Sequence, residues 1–295
     1  MEQAYSTQIG KRCRHRQNRA VSTVDSAMSS SAHDLRRRLR GEDQPGYVRL
    51  PGFAAPETGR RMLDDVIALA RQAAAGRDVT PSLVTLEMQA GFGGTNPEDR
   101  VSKIFRLHRR PAFLDFLGWP RVVELVGAAL GGDVDCFLSQ FIFKNPGAWG
   151  QPWHQDSYYF PFQPRRPIIG LWLAITEATL ENGCLHVLPG SQVEPVHTHV
   201  RDRRPDANHG YVEIVDHDMG ASVPCLLDPG DLLVFDSHLM HRSTDNTSSG
   251  MRAAMVWHFA TAGSIDPGSR DAQGRWRPSP VNDWMPYLRG GKTVL

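Results

Sequence analysis

Three side chains that bind metals stand at spacings that could bring them together. His154 and Asp156 are separated by one residue, and His241 follows much later in the chain. On an extended strand, residues i and i+2 point to one face, so this imidazole and this carboxylate would stand side by side. Two imidazoles and one carboxylate form the facial triad of non-haem Fe(II) oxygenases, which leaves the remaining coordination positions open. The spacing therefore predicts an iron(II) site at His154, Asp156 and His241.

An arginine extends this predicted site. Arg252 lies eleven residues after His241 and opens a segment, Arg252 to Phe259, with the pattern of a strand. A planar guanidinium binds a carboxylate through two parallel hydrogen bonds, which a lysine cannot do. We therefore expect Arg252 to anchor an anionic cosubstrate, and the metal to react with O2 beside it. A salt bridge on the strand is the structural alternative for Arg252.

Other histidines compete for these roles. His238 lies three residues before His241, but the offset to Arg252 favours His241 as the ligand. His186 alternates with apolar neighbours on a predicted strand, so its ring faces either the cavity or the solvent. We expect His258 to be a core or surface residue rather than a ligand.

The elements that must position these residues are mainly strands with two helices before them. Apolar residues at helical spacing predict one helix from Pro56 to about Gly76 and a second from Pro120 to Leu130. Short apolar runs predict strands at Tyr47–Leu50, Val134–Lys144, Ile168–Ile175, Cys184–Leu188, Leu232–Phe235 and Arg252–Phe259. Several short strands with turn signals between them indicate a sandwich or a jelly roll, which is mainly β with flanking helices.

The segments between these strands carry further predictions. The run from Ile168 to Ile175 is fully apolar, which predicts the middle of a sheet buried on both faces. Glu181-Asn182-Gly183 is a hairpin signal ahead of Cys184–Leu188. Residues 191–224 are polar and rich in His and Arg, so they form either a lid over the site or a solvated excursion.

Charge is unevenly distributed along the 295 residues. Residues 1–40 hold nine basic and three acidic side chains, whereas the remainder has a net charge of −5. A mildly acidic body argues against nucleic acid as the main partner. Residues 1–30 lack apolar periodicity and are predicted to be a disordered extension, with a targeting peptide or a start at Met28 as alternatives. We expect residues 31–295 to form a single domain.

The cysteines and the hydrophobic runs indicate a compartment. Four cysteines lie far apart without a CxxC pair, which is typical of a reduced intracellular protein. No apolar run approaches the roughly 18 residues of a membrane span. Cytoplasmic location, without a membrane partner, is therefore the expectation.

Several motifs together resemble the phytanoyl-CoA dioxygenase family of Fe(II)/2-oxoglutarate-dependent oxygenases. They are WHQD at 153–156, GLWLAI at 170–175, ENGCLHVLPGS at 181–191 and PGDLLVFDSHLMHRSTDN at 229–246, followed by Arg252. The resemblance implies a double-stranded β-helix, with the three metal ligands named above. It also implies that Arg252 and Ser243 bind the distal carboxylate of 2-oxoglutarate, and that Lys144 and Trp172 line the cosubstrate pocket.

The resemblance implies hydroxylation of an unactivated C–H bond in a small molecule, with release of succinate and CO2. Because related halogenating enzymes lack the carboxylate ligand, Asp156 favours hydroxylation. Tyr158, Arg165 and His186 are candidates for substrate contact. A jelly roll that binds metal or ligand without turnover is the main alternative, and a Zn(II)-dependent hydrolase is a third hypothesis. Desaturation and ring formation are the alternative outcomes that the resemblance implies for the same chemistry.

Overall fold

The computed structural model describes residues 32–208, 210–270, 276–277 and 279–295. Its helices α1–α5 span Ala32–Arg40, Pro56–Ala74, Pro111–Leu117, Pro120–Leu130 and Asp156–Tyr159. Strands β1–β8 span Tyr47–Leu50, Leu83–Leu86, Val101–Phe105, Val134–Lys144, Ile168–Ala174, Leu185–Val187, His199–Arg201 and Val212–Ile214. Strands β9–β16 span Val223–Cys225, Leu232–Asp236, His241–Ser243, Arg252–Thr261, Ser269–Arg270, Trp276–Arg277, Met285–Arg289 and Lys292–Thr293.

A large antiparallel sheet forms one wall of the fold. Its strands follow the order β1-β10-β5-β12-β4-β15-β16, with β3 also paired to β4 and β2 to β3. Strand β5 lies between β10 and β12, and all seven of its residues are buried. The prediction of a central strand in this segment is therefore confirmed.

A small antiparallel sheet of β11, β6 and β9 faces the large one. The apolar side chains between the two sheets include Trp172 and Val256 from the large sheet and Leu185 from the small one. Two facing antiparallel sheets of this kind form a jelly roll. The predicted fold class, mainly β with flanking helices, is confirmed.

The helices cover the outer face of the large sheet. Because side chains alternate along a strand, Met255, Trp257 and Phe259 of β12 point to the helices while Val256 and His258 point between the sheets. Trp257 stacks on Phe116 of α3, with ring centroids 4.8 Å apart. The two predicted helices are observed as α2 and α4, which start at the predicted prolines.

The hairpin prediction at residues 181–183 is wrong. Strands β5 and β6 lie in different sheets, so the connecting segment crosses from one sheet to the other. The turn itself is present, because the Asn182 side chain accepts a hydrogen bond from the Thr179 amide at 2.8 Å and Gly183 has a φ of 83°. A turn signal reports local backbone geometry and does not determine which strands pair.

The described part of residues 191–224 contains strands β7 and β8 and the start of β9. Strands β7 and β8 pair as an antiparallel hairpin, and β9 joins the small sheet. Tyr211, Val212 and Ile214 are buried, and the Ile214 amide donates to the Trp153 carbonyl at 2.8 Å. This segment therefore has both secondary structure and core contacts.

The predicted extension at residues 1–30 lies outside the described residues. Within the part that the structure describes, no helix combines the length and the hydropathy needed to span a bilayer.

We predict that the Gly170→Ala variant is less stable than the wild type by about 1–3 kcal/mol, because overpacking a filled core costs that much. A Cβ at Gly170 on β5 would collide with the Phe235 ring. Urea unfolding measures the change in the free energy of unfolding. Gly127→Ala in α4 is the control, since its Cβ would stand 3.6 Å from Leu288 in ordinary contact. We expect this control to be stabilised by up to about 1 kcal/mol; equal destabilisation of both variants would contradict the packing described here.

Candidate metal and cosubstrate site

The structure brings the three predicted metal ligands together between the sheets. The backbones of His154 and His241 pair through reciprocal hydrogen bonds of 2.9 and 3.0 Å, and their ring centroids lie 4.2 Å apart. Asp156 Oδ1 is 3.6 Å from His154 Nε2 and 3.8 Å from His241 Nε2. All three residues are buried, with their ligand atoms within 4.8 Å of one another.

The i, i+2 spacing works through one extended residue rather than a continuous strand. Gln155 has φ −114° and ψ 131°, whereas Asp156 already begins the single-turn helix α5. The buried Gln155 side chain fixes this point, because its amide donates to the carbonyls of Pro195 and His238 at 3.1 and 3.0 Å. The side chains before and after it therefore point to the same centre.

Hydrogen bonds set the orientation of both imidazole rings. His154 Nδ1 is 2.8 Å from the Pro152 carbonyl, and His241 Nδ1 is 2.9 Å from the Leu239 carbonyl. A carbonyl can only accept, so each Nδ1 carries the proton and each Nε2 keeps a lone pair for a metal. Burial lowers the pKa of His241 to about 4, so this imidazole is neutral at physiological pH.

His258 holds the carboxylate in place. Its Nε2 lies 2.8 Å from Asp156 Oδ2, which leaves Oδ1 directed to the two ligand imidazoles. Burial of Asp156 favours the neutral carboxyl, but His241 and His258 outweigh that effect and hold its pKa well below the usual value. The carboxyl group is therefore ionised, as a metal ligand must be.

A glutamine occupies the approach to the triad. Gln151 Nε2 is 3.0 Å from His154 Nε2, and its Oε1 accepts from Lys103 Nζ at 3.2 Å. A metal bound here would compete for the same lone pair of His154. The amide of Gln151 must therefore turn aside when the triad binds an ion.

Arg252 is fully buried and borders the same cavity as the triad. Its Nη2 donates to the Gly183 carbonyl at 3.0 Å, while Nε and Nη1 have no hydrogen-bond partner among the described residues. Burial lowers the pKa of Arg252 to about 10, so it remains a cation at neutral pH. Two unpaired donors on one buried cation form a site for an anion.

Lys144 and Ser243 lie beside this guanidinium. Lys144 Nζ donates to Ser243 Oγ at 3.0 Å and to the carbonyls of Thr244 and Trp149. Ser243 Oγ also accepts from the backbone N–H of Gln151 at 3.1 Å, so its own proton is free to donate. Trp172 lies under Arg252, with its ring centroid 5.6 Å from the guanidinium carbon.

The seven residues that were predicted to bind the metal or the cosubstrate all border one cavity of about 550 Å³. They are His154, Asp156, His241, Arg252, Ser243, Lys144 and Trp172. The three candidates for substrate contact lie outside this lining: Arg165 is exposed, and Tyr158 is 40% exposed and stacks on His199. His186 lies on the outer face of the small sheet, beside Arg242. The neighbouring Tyr159 borders the cavity instead of Tyr158.

His258 was expected in the core or at the surface, and its contact with Asp156 was not predicted. The sequence does contain a usable signal, because His258 lies six residues after Arg252 on one strand. An even offset places both side chains on the same face. The competing His238 lies outside the triad, with its Nδ1 near the Glu194 carbonyl.

A jelly roll that encloses two histidines and a carboxylate beside a buried arginine defines a class of metal-binding β proteins. Within this class, the chain belongs to the phytanoyl-CoA dioxygenase family, whose model matches residues 43–254.

Individual relatives are similar over part of their length. Bovine peroxisomal phytanoyl-CoA dioxygenase is 31% identical over 171 residues, covering 56% of this chain and 51% of the relative. Mouse phytanoyl-CoA dioxygenase domain-containing protein 1 is 31% identical over 199 residues, covering 64% of this chain and 66% of the relative. The chain thus spans about half the length of the first of these relatives.

Solved structures share the fold. The structure of EvdO2 from Micromonospora carbonacea var. aurantiaca complexed with 2-oxoglutarate superposes with a TM-score of 0.54 at 25% identity, over 85% of this chain and 97% of that one. The epimerase SnoN in complex with Fe3+ and alpha ketoglutarate superposes with a TM-score of 0.58 at 18% identity, over 88% and 99% of the two chains. At 18% identity, the likeness to SnoN supports the fold alone.

We predict that His258→Ala weakens Fe(II) binding by about 10–100-fold, the usual effect of removing a group that orients a metal ligand. Without His258 the Asp156 carboxylate is free to rotate. Anaerobic Fe(II) titration measures the affinity, and circular dichroism verifies the fold. His186→Ala serves as the control, because its ring lies on the outer face of the small sheet. Unchanged Fe(II) affinity in His258→Ala would argue against this role.

Proposed function

We propose that this chain is an Fe(II)- and 2-oxoglutarate-dependent dioxygenase that hydroxylates an unactivated C–H bond of a small molecule. The observation that carries the proposal is the buried pair of unpaired donors on Arg252, in the same cavity as the metal-binding triad. A metal-binding jelly roll has no need of a buried cation there, whereas a cosubstrate that chelates the metal and carries a second carboxylate does.

The residues present fit both the metal and the cosubstrate. His154, Asp156 and His241 supply the two imidazoles and one carboxylate that suit iron(II). Arg252 and Ser243 would bind the distal carboxylate of 2-oxoglutarate, since Arg252 has two free donors and Ser243 one free proton.

The basic side chains that border the cavity also favour an anionic cosubstrate. Arg252 on β12 pairs directly with Lys144 on β4, so two basic side chains occupy opposed positions of the two strands. Burial, together with the charge of Arg252, lowers the pKa of Lys144 well below its usual value. Burial and the charge of Arg252 thus disfavour a second positive charge on Lys144, and a bound dicarboxylate would stabilise the charged forms of both side chains.

When bound, iron and 2-oxoglutarate supply the oxidising chemistry, in which O2 and the 2-oxo acid yield succinate, CO2 and a hydroxylated product. The protein residues orient these groups and exclude water. The hydrogen bond from His258 favours the ionised form of Asp156. Arg252 would bind one end of the cosubstrate. The ligand rings are held by main-chain carbonyls, so the site is preorganised.

The remaining wall of the cavity favours a largely apolar substrate with a polar group. Phe105, Leu138 and Phe160 border it together with Lys103 and Glu87. Pockets lined by apolar side chains with a few polar groups are typical of small-molecule sites. Tyr159 adds a hydroxyl, which donates to the Gly210 carbonyl at 2.7 Å.

Residues 191–224 are proposed to act as the lid of this cavity. Asn208 from this segment donates to Glu87 at 2.6 Å and accepts from the Met88 amide at 2.9 Å, both at the cavity wall. Tyr211 borders the cavity as well. The segment would therefore have to open here for a substrate to enter.

The proposal is tested by loading anaerobic protein with Fe(II) and measuring O2-dependent conversion of 2-oxoglutarate to succinate. We expect turnover by the wild type and a loss of about 100-fold or more in His154→Ala, because the metal loses one of three ligands. His33→Ala, on the exposed surface of α1, is the matched histidine control. Absence of succinate with a broad panel of substrates would favour a binding protein without turnover.

We predict that Arg252→Ala raises the KM for 2-oxoglutarate by about 10–100-fold, since a hydrogen bond to a charged group contributes about 1.5–3 kcal/mol. Arg252→Lys should also lose affinity, because lysine lacks the bidentate geometry. Steady-state kinetics with varied 2-oxoglutarate measures the effect, with Fe(II) affinity as a second readout that should not change. The exposed Arg166→Ala is the control. An unaltered KM in Arg252→Ala would remove Arg252 from the cosubstrate site.

A further inference from the structure

A second group of metal-ligating side chains lies outside the cavity. Glu194 and His197 precede β7, and His217 follows β8, so the three residues flank the β7–β8 hairpin. His197 Nε2 is 2.8 Å from Glu194 Oε2, and His217 Nε2 is 3.1 Å from the same oxygen. Their ligand atoms all lie within 4.8 Å of one another.

The two imidazoles present the same nitrogen to the centre of this group. His217 Nδ1 is 2.9 Å from the Asp218 carbonyl, and His197 Nδ1 is 3.5 Å from the Asp216 carboxylate. Both rings therefore turn Nε2 to the same Glu194 oxygen, and each has an oxygen atom on its Nδ1 side. Histidines that ligate metals are oriented in this way by a carbonyl or a carboxylate. In the main cavity, the Nδ1 atoms of His154 and His241 likewise face oxygen atoms, there the main-chain carbonyls of Pro152 and Leu239.

The neighbouring His199 does not belong to the group. Its Nδ1 is 2.8 Å from the His197 carbonyl, and its Nε2 accepts from the backbone N–H of Gln155 at 3.1 Å. Both of its nitrogens are therefore used, and three donors remain. Two imidazoles and one carboxylate leave a fourth tetrahedral position for water, which suits Zn2+.

We propose that Glu194, His197 and His217 form a second metal site that binds Zn2+. The side chains are 33%, 18% and 23% exposed, so an ion can reach them from solvent while the site stays partly shielded. This proposal is independent of the proposed dioxygenase activity, because no residue of the group borders the main cavity.

A metal at this site would fasten the two ends of the segment that covers the cavity. Between the ligands, the chain carries Asn208 and Tyr211 to the cavity wall. The backbone N–H of His197 also donates to Gln155 Oε1 at 2.8 Å, and Gln155 lies between two of the three ligands of the first site, His154 and Asp156. Zinc would thereby restrict the opening of the segment and stabilise the backbone between His154 and Asp156.

Zinc binding to the full chain tests the proposal. The His154→Ala/Asp156→Ala variant removes the first site, and we expect it to bind one equivalent of Zn2+ in a titration against a chromogenic chelator. Adding His197→Ala should abolish that binding. Adding His33→Ala on α1 instead should leave it intact, because His33 is exposed and remote in sequence. If the double variant binds no zinc, or if His197→Ala leaves the binding unchanged, the proposal is overturned.

Two conservative variants keep the test decisive if His197→Ala fails to fold. In the same background, Glu194→Gln removes the carboxylate ligand at constant size and should weaken zinc binding by more than tenfold. Asp216→Asn should weaken it by about tenfold, as loss of an orienting carboxylate does. Hydrogen exchange of residues 195–217 should slow on adding zinc to the double variant and not to Glu194→Gln. Equal zinc affinity in all of these variants would mean that the group is an ion-pair cluster without a metal function.

Discussion

The architecture of the site depends on one backbone pairing between two distant segments. His154 and His241 exchange main-chain hydrogen bonds at the edge of the small sheet. This pairing sets the separation of the two Cα atoms from which the rings extend, whichever rotamers the side chains adopt. Because Asp156 follows after a single extended residue, the same pairing also places the carboxylate. A shift in register at this edge would move all three donors apart.

The second constraint is the burial of two basic side chains at the cavity wall. The two sheets pack face to face, and the large sheet places the buried Arg252 and Lys144 between them as direct partners. Lys144 has three oxygen acceptors, whereas Arg252 keeps two donors free. Burial of a charged group with unused hydrogen bonds is costly unless a ligand completes them. The cost is thus located where the proposed cosubstrate would bind.

The sequence predicted those parts of the fold that depend on local pattern. The proline-started helices and the fully apolar strand β5 were identified because periodicity and composition are local properties. The hairpin at Gly183 was wrong because a turn motif carries no information about which sheet receives the next strand. The strands β2 and β3 have a mixed burial pattern and were not predicted.

The site residues also divide into those that the sequence predicted and those that it did not. His154, Asp156, His241 and Arg252 could be proposed from residue type and spacing, and the structure brings them to one cavity. The support by His258 and Gln155 depends on contacts between residues far apart in the chain, which spacing alone does not define. Tyr158 was predicted as a substrate contact, but in the single turn of α5 it is Tyr159 that borders the cavity.

A crystal structure of the protein prepared anaerobically with Fe(II) and 2-oxoglutarate, with anomalous scattering recorded at the iron edge, tests the central claim most directly. The account predicts one iron peak shared by His154 Nε2, His241 Nε2 and Asp156 Oδ1, with the distal carboxylate of the 2-oxo acid on Arg252. An iron peak away from these three atoms, or a carboxylate bound elsewhere while Arg252 keeps its free donors, would contradict it.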